Sequence, residues 1–190
     1  MPNPNFAHPI AVDLDGTVWS CDVHQIMWNH MKKHQPLAAR KISVLKFYHR
    51  PLWKCYLWHH VGWLDHLWNF LNYPLLTTLT RWHSQGAHLI LATGALEPIA
   101  KVVRERYPIF HDIVASTRSV NCIGHRKALK IKEFSANFAY LGNSYWDIPC
   151  WRSSTWSGMV NASPQLQRLG RCLLPQPHVF EPQIPGFLPC

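Results

Sequence analysis

"AVDLDGTVWS", residues 11–20, ends a short apolar run with two aspartates one residue apart, Asp13 and Asp15. The chain holds six Asp and four Glu in 190 residues, so the pairing of two of them stands out. Two nearby carboxylates cannot both ionise cheaply, so their repulsion can hold one proton on the pair. Asp13 also reads as a helix cap or an Asx-turn, since Gly16 follows. Spacing of i, i+2 puts both side chains on one face of a strand only while strand geometry lasts, and Gly16 marks its end.

Around this stretch, "PIAVDLD" (9–15) reads as a short buried strand closed by a turn. "AHLILATG" (87–94) repeats the design, an apolar run ending in Thr-Gly. "DIVAS" (112–116) and "NFAYLGN" (137–143) do the same, and "WSGMVNA" (156–162) is a weaker fifth. Helical patterns lie between them: "YPLLTTLTRWHS", "EPIAKVVRERY", "RKALKIKEF" and "SPQLQRLGR". Strands alternating with helices predict an α/β fold of three layers, with a parallel sheet covered on both faces. In such sheets ligands bind beyond the carboxyl ends of the strands. Asp13, Thr93 and Asn143 all stand at those ends, so one crevice can collect them.

The interval from Asp15 to the second strand is too long for a simple crossover. Residues 22–72 therefore read as a helical insertion above the crevice, punctuated by Pro36, Pro51 and Pro74. Residues 1–21 and 73–172 are the expected core. Residues 173–190 read as an extended or disordered tail, with five prolines in the last sixteen residues.

Net charge is +9, which predicts attraction to anions. No acid lies between Asp22 and Asp65, where there are seven Lys or Arg and six His. Trp53, Trp58, Trp63 and Trp68 recur every five residues, which is not one helical face. Three readings stay open for this insertion. Its Trp residues fill its own core. It is an anion-binding lid for a polyanionic or lipid-linked phosphate, suited to a membrane interface. Or it stacks on nucleic acid, the least favoured of the three. The histidines form no metal set: His59 and His60 are adjacent, His30 and His34 are one i, i+4 pair, and no acid or Cys joins them. The six cysteines are scattered without a C-x-x-C pair, which suits reduced thiols. With no signal-peptide pattern and no apolar run near about 18 residues, a cytoplasmic protein is expected.

"DLDGT", "LATG", Lys127 in "GHRKALK" and "GNSYWD" follow in that order, each beside a predicted strand or helix start. This order resembles the four motifs of the haloacid dehalogenase (HAD) superfamily, over roughly residues 9–162. "ASTRSVNCIGHRKALKI" and "FAYLGNSYWDIPCW" are similar to HAD domains found alone or fused to UbiA-type prenyltransferases. The resemblance implies a Rossmann-like HAD fold with a small helical cap inserted after the first motif. It also implies a Mg²⁺-dependent phosphomonoester hydrolase acting through an aspartyl-phosphate on a small or lipid-linked phosphate. Asp13 would be the nucleophile and Asp15 the acid and base. Thr93, Gly94 and Lys127 would hold the phosphoryl group, with Lys130 and Arg126 as rivals of Lys127. Mg²⁺ would bind Asp13, the backbone carbonyl of Asp15 and, mainly, Asp147. Relatives usually carry Gly-Asp-Ser-x-x-Asp in the fourth motif, whereas here Asn143 replaces the first Asp. Asn143 is therefore a secondary metal ligand in this reading. Asp15 occupies a position where transport ATPases carry Thr and dehalogenases lack an acid, which favours a phosphatase. The alternative is a catalytically weak or inactive HAD-like module that binds a phosphorylated ligand or an anionic surface. The expected partner is a phosphorylated substrate, with peripheral membrane contact through the basic Trp-rich cap.

Overall fold

A computed structural model describes residues 4–180. Among these residues six strands form one sheet: β1 (Ile10–Val12), β2 (Leu89–Leu96), β3 (Phe110–Ser116), β4 (Ala139–Gly142), β5 (Trp156–Val160) and β6 (His178–Phe180). Their order is β3-β2-β1-β4-β5-β6, and every neighbouring pair is parallel. The chain leaves β1 toward β2 and β3, then crosses back to β4 on the other side. The switch point therefore lies between β1 and β4, where a crevice opens beyond their carboxyl ends.

Among the described residues nine α-helices fill the connections: α1 (Val23–His34), α2 (Pro36–Ile42), α3 (Leu45–Tyr48), α4 (Arg50–Val61), α5 (Tyr73–Ser84), α6 (Glu97–Arg106), α7 (Gly124–Lys132), α8 (Ile148–Ser153) and α9 (Pro164–Leu173). Side-chain alternation along the strands sorts the core into two layers. Ile10, Val12, Leu89 and Leu91 pack with Met27, Leu79 and Ile99 on one face. Ala11, Ile90, Ala92 and Tyr140 pack with Ala128, Ile131, Trp151 and Leu166 on the other. Burial on both faces explains why the strands read as unbroken apolar runs.

Helices α1 to α4 and a 3₁₀ turn (Asp65–Phe70) occupy the long interval after β1. The Asp22 carboxylate accepts the Gln25 N–H at 3.0 Å and so starts α1. Pro36, Pro51 and Pro74 each fall in a first helical turn, where a missing N–H costs nothing. The ends of the interval are zipped together: Ser20 N donates to Phe70 O at 2.7 Å, and Asn72 N to Val18 O at 2.8 Å. The tryptophans here are core residues. Trp19 meets Trp63 and Trp68 at 5.9 Å between ring centroids, and Trp28 meets Trp53 at 5.7 Å. Offset aromatic pairs of this kind add about 1 kcal/mol each beyond their buried area.

β6 corrects the reading of residues 173–180 as the start of a tail. Met159 pairs with Val179 and Val160 with Phe180, and the Trp156 ring stacks on His178 at 4.9 Å. A three-residue edge strand is too short to show a period, and the surrounding prolines masked it. Residues 181–190, the rest of that segment, lie outside the described residues. No helix among the described residues is long and apolar enough to cross a membrane.

Candidate active site

Asp13 follows β1 directly, and its N–H donates to Leu141 O of β4 at 2.9 Å, which fixes it at the switch point. The chain then turns at Gly16, whose φ of 79° is open to glycine at no steric cost. A Cβ there would sit 1.8 Å from Asn143 Nδ2, so only glycine lets the Asn143 amide lie against this turn.

Lys127 reaches this point from α7. Its buried face carries Gly124, Lys127, Ala128 and Ile131, at helical spacing. Lys127 Nζ donates to Asp13 Oδ1 at 2.8 Å, to the Tyr140 hydroxyl at 2.9 Å and to Asp147 Oδ1 at 3.0 Å. Tyr140 in turn donates to Asp147 Oδ1 at 2.6 Å. One buried ammonium thus joins two carboxylates from different loops. Lys130, the rival, is half-buried away from this point and pairs with Glu133 at 3.5 Å.

Asp147 is not where the fourth motif led us to expect. Its Oδ2 accepts from Asn143 N, Ser144 N and Ser144 Oγ at 3.1, 3.0 and 2.9 Å. With Lys127 and Tyr140 on Oδ1, both oxygens are fully engaged, and the residue is completely buried. It lies beneath the cavity rather than on its wall. Gly142 makes room for it, since a Cβ there would come 2.7 Å from Asp147 Cγ. The sequence assigned the metal mainly to Asp147; in the structure this carboxylate organises the loop and holds Lys127.

A cavity of about 350 Å³ opens above Asp13 and is lined also by Asp15, Gly94, Lys127 and Asn143. Its opposite wall comes from the insertion: His24, Lys46, Arg50, Trp53 and Lys54. Lys54 Nζ donates to Gly94 O at 2.6 Å and to Asn121 Oδ1 at 2.7 Å, tying α4 to the end of β2. Thr93 is buried and does not line the cavity. Its hydroxyl accepts the Ala95 N–H at 2.9 Å and keeps its own proton to donate.

The electrostatics answer the question raised by the aspartate pair, and differently from mutual repulsion. Burial is the main cause that raises Asp13, to about 7, against the opposing pull of Lys127. Burial also raises Asp15 well above the usual carboxylate range, followed by Asp22, with Asp13 a smaller contributor. For Lys127, burial favours the neutral amine, but Asp13 and Asp147 outweigh it and the ammonium is held. Asp147 is the reverse of Asp13: burial pushes it up, yet Lys127 and the Tyr140 hydrogen bond hold it down. Lys54 is lowered to about 8, chiefly by burial.

The residues present fit a hard divalent cation at Asp13. Asn143 Oδ1 is buried with no hydrogen-bond partner among the described residues, and its side chain lines the same cavity as both aspartates. Such an amide oxygen is a neutral ligand of the type Mg²⁺ accepts. His24, which the sequence reading placed in no metal set, comes with Asp15 and Asp22 within 4.8 Å, measured between ligand atoms. Burial, with the nearby charges of Lys54 and Arg50, holds His24 well below its usual range, and the same charges oppose a cation there.

Sequence reasoning missed Tyr140 and Lys54. Tyr140 was hidden as one more bulky residue of a buried strand. Lys54 had a signal, the four-residue spacing of Lys46, Arg50 and Lys54, which the mass of other cations obscured.

No protein-family model matches this sequence, and no curated protein does. Solved structures do. A protein of unknown function from Bordetella pertussis Tohama I superposes with a TM-score of 0.73 at 14% identity, covering 92% of this chain and 98% of its own. A HAD family hydrolase from Salmonella enterica serovar Typhi gives 0.67 at 14% identity, over 94% and 68%. A substrate-bound phosphoserine phosphatase gives 0.58 at 12% identity, over 90% and 92%. At these identities the likeness establishes the fold, which is the Rossmann-like α/β fold of HAD hydrolases.

Proposed function

We propose that this chain is a Mg²⁺-dependent phosphatase that hydrolyses phosphomonoesters through an aspartyl-phosphate on Asp13. One observation carries the reading: Lys127, 114 residues away in sequence, holds Asp13 at 2.8 Å on the floor of a cation-lined cavity. The HAD hydrolase and the phosphoserine phosphatase with the same fold support it.

Asp13 attacks phosphorus, and a P–O bond forms as the bond to the leaving alcohol breaks. Asp15, whose carboxyl burial pushes well above the usual carboxylate range, gives its proton to that alcohol. The resulting Asp15 carboxylate then takes a proton from water, whose oxygen attacks phosphorus. The bond from phosphorus to Asp13 breaks as the new one forms, inorganic phosphate leaves, and both aspartates return to their starting states. Lys127 and Lys54 place positive charge around the phosphoryl oxygens, and the helical insertion covers the cavity as a cap. Asp13, the Asp15 carbonyl and Asn143 would hold Mg²⁺, with Asp147 behind them holding Lys127. The ion would supply the charge that keeps Asp13 ionised and lets a phosphate dianion approach it. The substrate is a phosphate ester whose head group fits about 350 Å³, either small throughout or with a lipid tail left outside. Turnover of a chromogenic aryl phosphate with Mg²⁺, abolished by chelation, is the test; no turnover of any ester in a broad panel leaves only a phosphate-binding module.

Two variants probe the parts of this site separately. Asn143→Asp restores a negative ligand and should tighten Mg²⁺ at least about tenfold by calorimetry. Unchanged affinity would remove Asn143 from the site. Lys54 is charged only below its lowered pKa of about 8, so kcat/KM should fall as pH rises through that value. Lys54→Arg keeps its charge throughout, and the alkaline limb should move up. A limb that stays in place assigns it to another group.

A further inference from the structure

We infer that the outer face of α2 and α3 is a docking surface for an anionic lipid bilayer. Ser43 and Val44, between the two short helices, both have right-handed helical dihedrals (φ −56° and −60°), so residues 36–48 run as nearly continuous helix. Leu37, Arg40, Lys41, Val44, Phe47 and Tyr48 recur along it at helical spacing and share one face. All six are exposed. The four apolar ones are 77%, 57%, 83% and 84% open, in the order Leu37, Val44, Phe47, Tyr48. The opposite face supplies Ala39 and Ile42 to the core. This helix is therefore apolar on both sides, and only one side is covered.

Single exposed apolar side chains are ordinary, but four on one helical face mark an interaction site. The charge around them selects the partner. No acid lies between Asp22 and Asp65, and Arg40 and Lys41 stand within the face itself. A surface that offers anions and hydrocarbon together satisfies both halves of this pattern, and a bilayer with acidic head groups is such a surface. Nucleic acid would meet the cations and leave Leu37 and Val44 unrewarded. The aromatic groups here are Phe47 and Tyr48. Trp53, one of the tryptophans the sequence suggested for this task, is buried in the insertion. Docking does not depend on the phosphatase reading. If that reading holds, Lys46 and Arg50, which flank Phe47 and Tyr48 and line the cavity, would stand next to lipid phosphates.

Cosedimentation of the whole chain with vesicles tests this. Binding is expected to vesicles of mixed phosphatidylcholine and phosphatidylglycerol, with none to phosphatidylcholine alone, and should weaken as salt rises. The double variant Phe47→Ser/Tyr48→Ser should bind about tenfold more weakly, and so should Arg40→Glu/Lys41→Glu. All four positions are exposed, so thermal unfolding should match the parent and separates lost docking from lost folding. The inference is overturned by no sedimentation at low salt, by either double variant binding like the parent, or by tighter retention on single-stranded RNA than on the mixed vesicles.

Discussion

Asp13→Asn should abolish Mg²⁺-dependent turnover of a chromogenic phosphate ester, by a factor on the order of 10⁴ or more. The amide has the shape of the carboxylate but cannot form an acyl phosphate, and no other carboxylate can take its place in line. Asp15 is the acid, and Asp147 lies beneath the cavity with both oxygens engaged. The same substitution should not weaken the fold, because Lys127 keeps Asp147 as a counterion at 3.0 Å. Asp13 has a folded-state pKa raised to about 7 from 3.8, so its contribution to stability is present below pH ~4 and is lost as pH rises to about 7. In the presence of chelator, Asp13→Asn escapes that loss and should be at least as heat-stable as the parent at pH 8. Full activity in the variant, or a fall in its melting temperature at that pH, would contradict the role and the electrostatics respectively.

Lys127→Met gives the second large effect, and it falls on stability as well as on activity. The ammonium is buried between Asp13 and Asp147, at 2.8 and 3.0 Å. Methionine fills much of the same volume but leaves two buried carboxylates facing each other with no counterion. Removing one partner of a buried ion pair costs about 3–5 kcal/mol. For a chain of this size that is a drop in melting temperature of roughly 10 °C. Adding Asp13→Asn to Lys127→Met should recover part of the loss, because one of the stranded charges is gone; side chains in direct contact do not behave additively. If Lys127→Met unfolds with the parent, the ammonium does not bind the loops together.

Much of this was legible in the sequence because it is local. Four short strands were readable as unbroken apolar runs, since a parallel sheet buries both faces. The periodicity of α7 already puts Lys127 on the inner face with Ala128 and Ile131, and Lys130 outside. β6 escaped because three residues carry no period, and its stability comes from Val179 and Phe180 pairing with β5. The tryptophan spacing of five fitted no single helix because Trp53 and Trp58 lie on α4, while Trp63 and Trp68 flank and enter the 3₁₀ turn.

What the sequence determined by itself was which residues could do chemistry and that they stand at strand ends, because strand period, turn residues and motif order are properties of neighbours along the chain. What only the tertiary structure decided was which polar atom faces the cavity and which lies under it. Asn143 and Asp147 are four residues apart, yet the loop after β4 turns the first against Gly16 at the cavity and folds the second back onto backbone N–H groups. Whether a carboxylate keeps its proton was decided there too, because burial is set by the surrounding chain and outweighs the charge two residues away.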